Sequence, residues 1–481
     1  MSRKKPEQPA LRLFSLARPA PGLDALGFLR RLAHQERFFW QPALGRQGEI
    51  GAPGAQRFAG AGIAAELTAW GERRFLEIEH AAARLFANAC TQTLQPQTPE
   101  APAEAGPRLF GGFAFRDDFV PDYAWSDFYP AHFILPHFQL CEVDGQAWLT
   151  INALLPSDED PAVVFDPQTG ALAQALDLRY AWLLQAETQP QDPPAAPVEA
   201  GLSVRYPMDF PAWEALIEQA VRTIGAQGTA VVSGALHKVV LARMCEVSSA
   251  GPLELEAALG ELCAAYPDCY TYFFAPRPGC AFLGATPELL VSVQGAALRS
   301  MALAGSIRRG RTPAEDDTLA AALFNSAKDR YEHDLVAVEL RRRLSLVSAE
   351  LLAPAEPQVL RFRNIQHLHT PFSARLKKPK GVLTVLARLH PTPALGGMPR
   401  PAALEFIRQY EPLTRGWYAA PVGWLDSHLD GCFAVGIRSA VVQRERAWLY
   451  AGAGIVAASQ AQSEWEETAL KFRPMLQALV R

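Results

Sequence analysis

Ala451-Gly452-Ala453-Gly454-Ile455-Val456-Ala457 follows an apolar, strand-like run and admits two readings that lead to different folds. As a G-x-G-x-x-A dinucleotide fingerprint it needs a helix opening directly on the glycines within a β-α-β unit, with an acidic residue ending the next strand about 20 residues on. Here Ser459, Gln460 and Gln462 intervene, and the acids that follow stand on a segment with helical spacing from Glu464 to Leu479. The fingerprint is rejected. The glycines still let backbone N–H groups come close to an anion.

Moving outward, strands are read at Ala447 to Ala451 and Cys432 to Val442, and a helix at Arg400 to Tyr410. Lys238 to Arg243 and Leu289 to Val293 are short apolar segments flanked by turn residues, as half-buried strands should be. Trp213, Leu216, Ile217, Ala220, Val221 and Ile224 recur at helical spacing behind Pro211. Thr312, Pro313 and Glu315 form a capping-box start, so helix runs from there to about Leu344, with a break near Asn325. Further strands are read at Phe110 to Phe115, Phe133 to Leu140 and Ala147 to Leu155. Strands come in runs rather than in strict alternation with helices, which makes the class α+β.

Two stretches rich in Pro, Ala, Gln and Glu, Leu94 to Pro107 and Ala186 to Ala200, read as solvated loops or linkers. The second divides the chain into an N-terminal region, 1–200, and a C-terminal region, 201–481. Across the 481 residues, 49% are hydrophobic and 20% charged, the balance of a packed globular protein. With 46 basic and 50 acidic residues the net charge is −4, so nucleic-acid partners are disfavoured. The seven cysteines are scattered, with no C-x-x-C pair, and read as reduced thiols of a cytoplasmic protein. Pro6, Glu7 and Pro9 interrupt the apolar run that a signal peptide needs, and no membrane span is read.

Glu464, Glu467 and Lys471 fall at i, i+3 and i+7, on one face of the last helix. Asp329 and Glu332 repeat the i, i+3 spacing on another helix. Two such pairs facing each other would supply oxygens for a hard divalent cation such as Mg²⁺, and two solvated helix faces explain the spacing equally well. Lys238 opens an apolar strand, where it either snorkels to water or sits desolvated and usable as a base. Glu288, after Thr286 and Pro287, is a proton donor or a polar turn residue. Arg438 lies in an otherwise apolar strand and must meet a carboxylate, from the protein or from a ligand. His367 and His369 share a strand face but lack the partners of a zinc site. The run Arg375, Lys377, Lys378 and Lys380 reads as an exposed loop without function.

Together these residues resemble the chorismate-utilising enzymes, the family of anthranilate synthase large subunits, aminodeoxychorismate synthases, isochorismate synthases and salicylate synthases. The resemblance runs from about Trp213 to the C-terminus. It rests on Lys238 to Arg243, Gly284 to Leu289, Leu303 to Ser306, Lys328 to His333, His390 to Gly397, Gly452 to Val456 and Glu464 to Lys471, in the family's order. In the N-terminal region only Phe110-Gly111-Gly112 and Leu135-Pro136 match.

The resemblance implies large, mostly antiparallel sheets packed face to face with helices outside, residues 1–200 being part of the same fold and 201–481 its chorismate-binding catalytic region. It implies that Glu332 and Glu467 hold Mg²⁺, with Glu464 close by, and that the ion anchors the ring carboxylate of chorismate. Tyr418, Arg438, Gly452 and Gly454 would surround the pyruvyl carboxylate, with Lys471 near the metal end. Gly305, Ser306, His367, Ala394 and Leu395 complete the implied substrate contacts.

Relatives that use water carry a lysine at the position of Lys238, whereas anthranilate synthases usually carry glutamine. Ala304 replaces the nucleophilic lysine of many aminodeoxychorismate synthases. Ala394 stands where the pyruvate-eliminating members usually have threonine. The resemblance is therefore strongest to isochorismate synthases, with Lys238 activating water for attack at C2 and Glu288 protonating the departing C4 hydroxyl. A salicylate synthase is the nearest alternative. Anthranilate or aminodeoxychorismate synthesis and a catalytically silent chorismate-binding subunit stand behind it. No glutaminase subunit is expected, and the chain is expected to be a monomer. Isochorismate feeds menaquinone, catecholate siderophores and salicylate, and the long N-terminal region resembles the menaquinone type in size. Ala420 and Cys432 depart from the glycine and glutamate that many relatives have there.

Overall fold

In the computed structural model, which describes residues 10–44, 56–94, 101–185, 202–225 and 234–480, helix boundaries follow the capping chemistry of the sequence. The Thr312 side chain accepts from the Glu315 N–H, Pro313 takes the first turn, and the helix Pro313–Asn325 follows. Ser326 ends that helix and caps the next, Ala327–Ser345, by accepting from the Asp329 N–H. The break near Asn325 is thus one serine wide. The helix Phe210–Gly225 buries the apolar stripe read from its spacing, Val221 apart, and the helices Arg400–Tyr410 and Ala461–Leu479 stand where helices were read.

The strands form one sheet of thirteen and one of ten. In the first, Ser203–Arg205, Lys238–Ser248, Arg446–Ile455, Ser439–Gln443, Cys280–Thr286 and Tyr270–Arg277 lie side by side. Beyond Tyr270–Arg277 the order continues with Arg37–Gln41, Arg57–Ala61, Phe138–Val143, Gln146–Pro156, Leu11–Pro19 and Cys90–Thr93. In the second sheet, Arg108–Phe113 pairs with Pro421–Asp426, joining the N-terminal strands to those of the C-terminal region. Among the described residues every pairing is antiparallel except that of Leu11–Pro19 with Cys90–Thr93.

The two sheets meet face to face across aromatic side chains. Phe38 of the larger sheet stacks on Phe110 of the smaller at 6.3 Å, and Phe58 meets Trp424 at 5.3 Å. The outer face of the larger sheet buries a second apolar cluster against helices that include Leu255–Ala265 and the last one. The helix Ala327–Ser345 lies on the smaller sheet against the strand Ala297–Arg308. Among the described residues, which include all seven cysteines, no disulfide is formed.

Three readings are corrected. The single strand expected at Phe133 to Leu140 is two, Ala131–Leu135 and Phe138–Val143, one in each sheet. Pro136, with no N–H to donate, marks the crossing. Cys432 to Val442 divides in the same way into Gly431–Val435 and Ser439–Gln443, and Arg438, at φ +52°, turns the chain between the sheets. The glycines 452 and 454 do not follow a strand but lie within it, since it extends to Ile455.

The described part of the expected linker Leu94 to Pro107 is partly buried rather than solvated throughout. Ala105 is buried, its carbonyl accepts from Thr150 Oγ1 at 2.7 Å, and Gly106 accepts from Gln139 Nε2 at 3.0 Å. The expected linker Ala186 to Ala200 lies outside the described residues.

Candidate active site

The crossings between the sheets open a cavity of about 70 Å³. The strand Lys238–Ser248 forms one wall and pairs with Arg446–Ile455, Val240 opposite Gly454 and Ala242 opposite Gly452. Lys238 is buried, and its Nζ lies 3.0 Å from Glu332 Oε1 on the helix Ala327–Ser345. Gly454 makes room for this pair. A Cβ there would stand 2.1 Å from Glu332 Oε1 and 2.9 Å from Lys238 Cε.

The last helix supplies the next wall. Lys471 Nζ donates to the Gly452 carbonyl at 2.8 Å and to Glu467 Oε1 at 2.5 Å. Burial alone would raise the Glu467 carboxyl, but Lys471, Lys328 and Arg438 override it and hold the group below its ordinary value. Glu464, 1% exposed, does not line the cavity; its Oε1 accepts from Lys328 Nζ at 2.6 Å. Burial, then the charge of Glu467, pushes Glu464 up to about 7 against the pull of Lys328.

Of the two acidic pairs expected to face each other, then, one residue of each reaches the cavity. Asp329 instead turns back to the residue that caps its helix, its carboxylate accepting from Ser326 Oγ. Among the described residues no three His, Cys, Asp or Glu side chains converge as a metal-ligating group, because lysines occupy the carboxylates. The donors of Glu332 and Glu467 are nevertheless all oxygen, from two carboxylates, the chemistry that suits a hard divalent cation completing its shell with water and ligand.

The opposite end is built to receive an anion. Arg438 Nη2 lies 3.2 Å from His367 Nε2, and a guanidinium can only donate. Nε2 therefore accepts, and the imidazole proton sits on Nδ1, 3.1 Å from the Gly305 carbonyl and 3.0 Å from Ser306 Oγ. Burial, then the charges of Arg438 and Lys471, holds His367 well below its ordinary value, so the ring is neutral. Gly305, at φ +74°, forms a bulge in Ala297–Arg308 that aims its carbonyl at the histidine. Arg438 Nε is buried and has no hydrogen-bond partner among the described residues. An orphaned guanidinium N–H facing a cavity calls for an acceptor from a ligand. Tyr418, stacked on Tyr450 at 5.2 Å, completes this end.

Glu288 lines the same cavity as Lys238. Burial pushes its carboxyl up to about 8, although Lys238, Lys471 and Arg438 all pull it down. It is protonated at neutral pH and can give a proton. The cavity thus gathers a base candidate, an acid candidate, two further carboxylates and an anion-binding guanidinium.

Of the residues given a catalytic, substrate or metal role from the resemblance, all line it except Glu464. Asp329 and His369, singled out by spacing, do not line it. Sequence reading missed Val240, Ala419, Ile437 and Tyr450 in the lining, and the lysine that holds Glu464. Val240 and Lys328 left a signal, each lying in a motif with no role attached to it.

A family model described as chorismate binding enzyme matches residues 2–480. The salicylate biosynthesis isochorismate synthase of Pseudomonas aeruginosa is 37% identical over 420 residues, 87% of this chain and 82% of the relative. The isochorismate synthase MenF of Bacillus subtilis is 34% identical over 374 residues, 78% of this chain and 75% of the relative. Among solved structures, the menaquinone-specific isochorismate synthase MenF from Escherichia coli aligns over 100% of this chain and 97% of its own, with a TM-score of 0.73 at 26% identity.

Proposed function

The chain belongs to the chorismate-binding enzyme family, and from that premise we propose that it is an isochorismate synthase, an isomerase that moves a ring hydroxyl of chorismate from C4 to C2. The observation that carries the reading is Lys238 and the protonated Glu288 lining one cavity, an amine and a carboxylic acid at the same space. Lys238 takes a proton from water as the water oxygen bonds to C2. Glu288 gives its proton to the C4 hydroxyl, which leaves as water while both ring double bonds shift, C1=C2 to C1=C6 and C5=C6 to C4=C5. One water enters and one departs, so the reaction is an isomerisation and reversible.

Arg438 and Tyr418, with the backbone at Gly452 and Gly454, receive the pyruvyl carboxylate; the unpartnered Nε of Arg438 supports this role. His367, held neutral, orients Arg438 and leaves its charge free for the ligand. Gly305, Ser306, Ala394 and Leu395 shape the wall around the ring. Glu332 and Glu467 are the residues that would hold Mg²⁺, with Glu464 behind them, and the ion would supply charge withdrawal at the ring carboxylate. Lys471 steadies Glu467 and the Gly452 carbonyl.

We assign catalysis to residues 201–481, because the lining runs from Lys238 to Lys471, and read 1–200 as part of the same fold, because its strands extend both sheets. No described helix is long and apolar enough to cross a membrane. We propose a cytoplasmic monomer that acts on chorismate without a glutaminase subunit. Menaquinone supply is the proposed destination, supported by the likeness to MenF along the whole chain.

Incubation with chorismate and Mg²⁺, followed by chromatographic identification of the product, tests the function. Isochorismate without pyruvate is the expected result. Salicylate with stoichiometric pyruvate would replace the reading by salicylate synthesis, and a product formed only with ammonia would replace it by an amination.

A further inference from the structure

Arg415 and Glu411 form a buried ion pair that none of the steps above uses. Arg415 Nε lies 2.6 Å from Glu411 Oε1 and Nη2 lies 2.7 Å from Oε2, with side chains 3% and 1% exposed. Such a pair adds little stability by itself, because desolvation offsets the attraction. Its remaining bonds are more telling. Glu411 Oε2 accepts from the Ala242 N–H at 2.8 Å, Arg415 Nη2 donates to the Val240 carbonyl at 2.7 Å, and Nη1 donates to the Leu395 carbonyl at 2.9 Å.

On this side, among the described residues, the strand Lys238–Ser248 has no paired strand at residues 240–242. Gly397–Met398 pairs only with Val239 and Lys238, Ser203–Arg205 reaches no further than Glu246, and beyond them only the Gly396 carbonyl accepts from the Val240 N–H, at 2.9 Å. The ion pair takes up the Val240 carbonyl and the Ala242 N–H that no strand partner reaches. It also reaches across to Leu395, and both Val240 and Leu395 line the cavity. The Phe115 ring, 4.3 Å from the guanidinium, backs it from the N-terminal region.

We propose that Arg415 is a positioning residue that fixes the spacing between the Ala394–Leu395 wall and the strand presenting Lys238. It touches no reacting atom. The proposal rests on the reading of Lys238 as the base, so the test follows consumption of chorismate rather than formation of one product. A product other than isochorismate would then overturn the functional reading alone.

Arg415→Lys keeps the charge but cannot bind Glu411 at two points and two carbonyls at once. It is expected to lower kcat at least tenfold, in line with the effect of a misplacement of about an ångström, with KM for chorismate within about threefold because the carboxylate contacts stand elsewhere. Glu411→Gln leaves the two carbonyl bonds of Arg415 in place and is expected to stay within about threefold of the wild-type kcat, even where its Tm falls. Should Arg415→Lys not fold, the paired variant Arg415→Gln with Glu411→Gln removes both buried charges together, and the same loss of kcat is expected. A purely structural pair would lower Tm and leave kcat per folded enzyme unchanged. Wild-type kcat in a folded Arg415 variant, or a rise in KM with kcat intact, would overturn the proposal.

Discussion

Glu288 keeps its proton at neutral pH because burial outweighs three nearby cations, and that balance is testable. As an acid it must be protonated, so kcat should fall as pH rises through about 8. The same shift affects stability. The folded state binds a proton that the unfolded chain, at 4.5, releases, so the stabilising contribution is full below about 4.5 and is lost as pH climbs toward about 8. Glu288→Gln should bind chorismate normally, lose about 10² to 10⁴ in kcat, and show neither dependence. Rates and denaturant midpoints between pH 6 and 10 check both, and a wild-type kcat that stays flat through pH 8 would remove Glu288 as the acid.

One helix, Ala461–Leu479, carries Glu464, Glu467 and Lys471 and packs on the strand Arg446–Ile455, so its register there sets the Glu467 end of the cavity. Arg243 holds that register. Its Nε donates to Thr468 Oγ1 at 2.7 Å, its Nη2 donates to the Trp465 carbonyl at 3.1 Å, and the guanidinium lies 3.6 Å from the Trp465 ring centroid. Arg243→Ala removes charged hydrogen bonds and a cation–π contact, together worth about 3 kcal/mol in a buried setting. Denaturant unfolding should record that loss. The Mg²⁺ concentration needed for half-maximal rate should rise, because the carboxylates lose their common support. An unchanged Mg²⁺ dependence would show that the register is set elsewhere.

At the scale of the molecule, the N-terminal strands extend both sheets rather than forming a separate body. Arg37–Gln41 covers the edge of Tyr270–Arg277, and Arg108–Phe113 covers the edge of Pro421–Asp426. A chain starting at residue 202 would expose both edges and lose Phe38, Phe58 and Phe110 from the core between the sheets, each worth about 1.5–3 kcal/mol in burial. Such a fragment is expected to aggregate or to lack near-ultraviolet circular dichroism and a cooperative melt. A soluble fragment with a sharp transition would show that the catalytic half folds alone.

The sequence by itself determined what depends on neighbours along the chain. Thr312 and Ser326 set helix starts through side chains that cap within three residues, and the spacing of Glu464, Glu467 and Lys471 put them on one face. The family resemblance carried by the motifs between Lys238 and Lys471 named most of the residues that line the cavity. Only the tertiary structure decided what depends on partners far apart in sequence. It split two expected strands between the sheets, because neither a proline nor a residue with positive φ can continue an extended ladder there. It withdrew Glu464 onto Lys328 and Asp329 onto Ser326, since a carboxylate goes to the nearest donor that folding brings to it, which spacing cannot show. Glu288 keeps its proton for the same reason: burial, set by the whole fold, outweighs the charges around it.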